Sequence, residues 1–68
     1  MATILQKVQE AEIGLKLVGR DYYMRYINML LRASLSDKAT NAYVSSAADN
    51  GFVIVADADR HLQIKEGE

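Results

Sequence analysis

Apolar residues recur at Ile4, Val8, Ala11, Leu15 and Val18, at steps of four, three, four and three, which is helical spacing. Thr3 stands where an N-cap would. Gly14 falls inside this run and weakens its second half by about 1 kcal/mol relative to alanine. The same residues carry a second pattern, because Ile13, Leu15 and Leu17 alternate as a short strand would. The spacing predicts a helix over 3–12, leaves 13–18 open between helix and strand, and ends either one at Gly19.

Asp21 is a favourable cap for a second segment, Tyr22 to Ala33. Its apolar arc is very wide. Only Arg25, Asn28 and Arg32 are polar, and they fall along one narrow helical stripe. A helix this apolar must be covered on most sides, and a short chain has little with which to cover it. The segment therefore predicts an interface, with Tyr22, Tyr23, Tyr26, Met29 and Leu30 as its contact residues.

Ser36 caps a third predicted helix over 37–49, whose face is Ala39, Ala42, Tyr43 and Ala47, and Asn50-Gly51 stops it. Phe52 to Ala56 is apolar and β-branched, hence a strand. Asp57-Ala58-Asp59-Arg60 reads as a turn, and His61 to Lys65 alternates as a half-exposed strand. The pair forms a β-hairpin with Leu62 and Ile64 directed at the core. The expected fold is α+β, in one domain spanning 1–68: two or three N-terminal helices followed by a C-terminal β-hairpin.

Composition sharpens this picture at two points. The chain has 68 residues, so folding buries only about 60% of its unfolded surface. It contains no cysteine, which removes disulfides and thiolate metal sites as supplements and leaves association with a partner. Eight basic residues against nine acidic ones give a net charge of −1, without the basic excess of most nucleic-acid binders. The charges are also uneven. Arg20, Arg25, Arg32 and Lys38 make the middle mildly basic, while Asp49, Asp57, Asp59, Glu66 and Glu68 make the last third acidic. No apolar run reaches the roughly 20 residues of a membrane span, and the N-terminus lacks the order of a signal peptide. A cytoplasmic protein without membrane contact is expected.

The segment Leu30-Leu31-Arg32-Ala33-Ser34-Leu35-Ser36-Asp37-Lys38-Ala39-Thr40 looks like the end of a first helix, a turn and a recognition helix, and Asn50-Gly51-Phe52-Val53-Ile54-Val55 looks like the passage into a wing. In element order the chain resembles winged helix-turn-helix domains. The resemblance implies a dimeric DNA-binding transcriptional regulator. Base contacts would fall to Lys38, Thr40, Asn41 and Ser45, and phosphate contacts to Arg60 and His61. Asp37, Asp49, Asp57 and Asp59 crowd the same elements, where phosphate binding needs cations.

Other chemistry is thin. Asp57, Asp59 and His61 alternate and could share one side of an extended chain, but aspartates are also ordinary turn formers. Ser34, Ser36, Ser45 and Ser46 lie in no nucleophile-elbow pattern around the single histidine, and the four glycines make no phosphate loop. Cations and aromatics mix at Arg20, Tyr22, Tyr23, Arg25, Tyr26 and Arg32 and could stack on single-stranded nucleic acid, yet Tyr and Arg are also the residues of protein contacts. No catalytic residue, metal ion or cofactor is expected. The leading expectation is a small, non-enzymatic protein-interaction or regulatory module, a homodimer through the 22–31 helix or a binder of another protein. The winged-helix regulator is the alternative.

Overall fold

The computed structural model describes residues 3–67 as three helices followed by two antiparallel strands, an α+β fold. α1 spans Ile4–Leu17. Thr3 and Gln6 close a reciprocal capping box, the Gln6 N–H donating to Thr3 Oγ1 at 3.1 Å and the Thr3 N–H to Gln6 Oε1 at 2.9 Å. The helix does not stop at residue 12, and no strand forms over 13–18. Ala11 and Gly14 are buried on the inner side, while Ile13 and Leu17 point out at 56% and 80% exposure.

α2 spans Arg20–Ala33, and its N-cap is Gly19 rather than Asp21. Gly19 has φ +134°, a conformation side-chain-bearing residues rarely adopt. Asp21 instead sits in the first turn, where its charge suits the helix dipole. α3 spans Asp37–Asp49, and Ser36 Oγ accepts from the Ala39 N–H at 3.2 Å as expected.

β1 (Phe52–Ala56) and β2 (Leu62–Glu66) pair with Ile54 opposite Ile64 and Ala56 opposite Leu62. The turn is closed by the Arg60 N–H donating to Asp57 C=O and the Asp57 N–H to His61 C=O, both at 3.0 Å. α1 packs on α2 and α3, and the hairpin packs on the same two helices, β2 against α2 and β1 against α3. The result is a slab with extents of 34 × 32 × 16 Å. Its core is Ala11, four residues of α2 (Tyr23, Ile27, Leu30, Leu31), three of α3 (Ala39, Tyr43, Ala47), Phe52 and Ile64.

Two expectations about inward faces need correction. Leu62 shares a face with Ile64, but the helical layer covers the Ile54–Ile64 pair and not the Ala56–Leu62 pair, so Leu62 is 36% exposed. Asn28 does not belong to a solvated stripe with Arg25 and Arg32. Its amide donates to Ile64 C=O at 3.1 Å and accepts from the Ile64 N–H at 2.7 Å, as a neighbouring strand would. Arg20 adds a second tie. Its guanidinium lies 4.1 Å from the Phe52 ring centroid, Nε bonds the Glu66 carboxylate at 2.9 Å, and Nη1 donates to Asn50 C=O at 3.2 Å.

Candidate interaction surface

The expected contact residues of α2 divide between two faces. Tyr23 is 0% and Leu30 7% exposed, so both are occupied within the core. Tyr22, Tyr26 and Met29 lie on the outer face, at 39% exposure for Tyr22 and 57% for Met29. The helix is therefore covered more fully than its apolar arc predicts, and what remains open is one row.

That row is held in shape from beneath. The Tyr22 ring lies against Gly14 of α1, and a methyl at residue 14 would overlap it. Close approach is thus the reason for a glycine inside a helical run. Tyr22 and Tyr26 stack at 5.9 Å between ring centroids with 29° between planes. The Tyr26 hydroxyl donates to Glu10 Oε2 at 3.1 Å, and burial, then that carboxylate, hold its phenol above the ordinary value. Together with Val18 and Met29 the two rings line a groove of about 510 Å³ flanked by Asp21 and Arg25.

Behind it runs a buried polar chain. The Tyr23 hydroxyl and Ser46 Oγ are 2.7 Å apart, Ser46 Oγ donates to Glu12 Oε2 at 3.0 Å, and the Asn50 amide donates to the same oxygen at 3.2 Å. Burial raises the Tyr23 phenol above its ordinary value, against the lowering effect of Ser46 and Asn50. Every buried side-chain polar atom among the described residues has a partner.

Three residues of the nucleic-acid alternative share one face of α3, at i, i+3 and i+7, and the other two lie apart from it. Lys38, Asn41 and Ser45 are exposed on α3. Thr40, in the first turn of α3, is half-buried against the α2–α3 connection, its Oγ1 2.8 Å from Ser34 Oγ and donating to Ser36 C=O at 3.1 Å. Arg60 is exposed at the hairpin tip, in the left-handed region at φ +64°. Asp57, Asp59 and His61 do come together, with candidate ligand atoms within 4.8 Å of one another. Asp57 Oδ1, however, already accepts from the Asp59 and His61 N–H groups at 2.9 Å each, the ordinary hydrogen bonding of an aspartate in a turn. Ser46, between Tyr23 and Glu12, is the serine most engaged with other side chains, and hydrophobic periodicity carries no signal for it. No helix is long and apolar enough to cross a membrane among the described residues. Compared with protein families, with curated proteins and with solved structures, the chain found no match.

Proposed function

We propose that this protein is a small, non-enzymatic interaction module that self-associates through the outer face of α2. The observation that supports it is the apolar row of exposed Val18, Tyr22 and Met29 with the half-buried Tyr26 between them, lining one groove. Contiguous exposed apolar patches mark interaction sites, and Tyr, Met and Arg are enriched in the centres of such contacts. A second copy is the favoured partner on charge grounds. An antiparallel pair of α2 helices centred near Tyr22 and Tyr26 sets Asp21 of one copy beside Arg25 of the other, so the rim pairs opposite charges.

Light scattering over a range of concentrations tests the proposal. The wild-type chain is expected to gain mass with concentration, and Met29→Asp is expected to gain clearly less at each concentration with an unchanged helical circular dichroism spectrum, since Met29 is exposed. A wild-type chain that remains monomeric at the highest concentration excludes this reading.

A second reading, a winged-helix DNA-binding regulator acting as a dimer, draws on the order of three helices and an antiparallel hairpin. It would use Lys38, Asn41 and Ser45 of α3 and Arg60 at the tip. Thr40 is less suited to it because its hydroxyl is engaged in the turn.

A further inference from the structure

The two edges of the hairpin are unequal. The Asp57 N–H bond to His61 C=O marks 57–61 as a hydrogen-bonded pair of the ladder, and such pairs recur at every second residue. The paired rungs are therefore 55–63 and 53–65. Ile64 then turns its N–H and C=O away from β1, where Asn28 takes both. By the same alternation Phe52, Ile54 and Ala56 turn theirs away from β2, and among the described residues no hydrogen bond reaches them.

We infer that the free edge of β1 pairs with β1 of a second copy, antiparallel about a two-fold axis through Ile54, to give a four-stranded sheet. This surface is separate from the α2 face and goes beyond the function proposed above. In that register Ile54 faces its own copy and Phe52 faces Ala56, twice. The Ile54 pair exchanges two bonds at a half-buried position, and the two Phe52–Ala56 pairs extend the ladder from the exposed Ala56 towards Phe52, which is 5% exposed.

The side chains fit the same register. β1 reads Phe-Val-Ile-Val-Ala, with no charge and no proline, the devices that natural edge strands use against such pairing. β2 carries both Lys65 and Glu66 and is covered by Asn28 as well. On the outer face, Val53 and Val55 meet Val55 and Val53 of the second copy, with Gln63 and Lys65 outside them. That is an apolar centre with a polar rim, and it accounts for a Val53 left 48% exposed. On the inner face Phe52 comes beside the exposed Ala56 of the other copy, with that copy's Leu62 one strand further on. No charged residue of β1 opposes another across the axis.

The test uses Met29→Asp as background, so that association through α2 does not contribute. Amide exchange of Ile54 and Ala56 is followed by NMR at low and high protein concentration. Exchange at both is expected to slow at least tenfold at high concentration, while exposed amides elsewhere do not change. Ala56→Pro removes one outward N–H without touching the β1–β2 ladder and is expected to abolish the slowing at Ile54. Should Ala56→Pro fail to fold, Val55→Lys, opposite the uncharged Gln63 within its own hairpin, places a cation in the contact with Val53 of the second copy and is expected to do the same. Concentration-independent exchange at Ile54 overturns the inference, as does slowing that survives these substitutions. Neither outcome bears on the α2 face, which is decided by the difference in mass between wild type and Met29→Asp at equal concentration: equal masses overturn the α2 reading whatever β1 does.

Discussion

At Tyr23 a side chain with no solvent exposure keeps a hydroxyl bonded to Ser46 and near Asn50. The fold favours its neutral form, since burial raises the phenol above its ordinary value. That contribution to stability is fully present below the unfolded-state value of about 10 and is lost as pH rises through the higher folded-state value. Urea unfolding between pH 8 and 11 is expected to show stability falling across the upper part of that range. Tyr23→Phe should cost about 1 kcal/mol at neutral pH and flatten the alkaline fall, leaving the part due to Tyr26. Residue roles such as this were only partly legible in the sequence. Periodicity marks Tyr23 as apolar but not which flank of the helix is covered, so Tyr23 and Leu30 read as interface beside Tyr22, Tyr26 and Met29. Gly14 read as a weakness of its helix because the ring that needs its space belongs to another helix.

Among the elements, α3 and the hairpin were the most legible, since their signals are local. Ser36 caps α3 with its own hydroxyl, Asn50-Gly51 ends it at φ +84°, and Phe52–Ala56 is β-branched throughout its middle. The junction of α1 and α2 was harder, because a glycine cap at Gly19 makes no side-chain hydrogen bond and looks like a simple stop. Asn28 was misread for a different reason. Its partner is backbone 36 residues away, which no helical pattern encodes. Asn28→Ala leaves the Ile64 N–H and C=O without their partner and is expected to destabilise the fold by about 1–3 kcal/mol in urea unfolding. Arg20→Lys should cost less, because its ion pair with Glu66 is exposed at both ends and such pairs contribute about 0–1 kcal/mol.

For the whole molecule, the charge layout bears on the nucleic-acid reading. α3 offers Lys38 as its one cation, and Arg60 shares its turn with Asp57 and Asp59. Few phosphates can be neutralised at once, so the affinity for random duplex DNA is expected to be weak and to vary shallowly with salt, with a slope near −0.9 per phosphate contacted. Titration at two salt concentrations measures this, and nanomolar binding near physiological salt would favour the regulator reading.

The amide clamp of Asn28 on β2 also orders events in time. A two-stranded hairpin is at best marginally stable alone in water, and this one turns through an Arg60 held in the left-handed region. Its remaining support comes from α2, through Asn28 and Arg20, and from the helical residues beneath Ile54 and Ile64. The strands thus draw on both α2 and α3, β2 through Asn28 and Arg20 and β1 through its packing on α3. The hairpin is therefore expected to gain its protection last on refolding, which pulsed amide exchange would show as Ile64 protected after the α2 amides. Its amides then become reporters of helix docking, and damage at the α2–α3 contact would be seen first as fraying of strands that the substituted residue never touches.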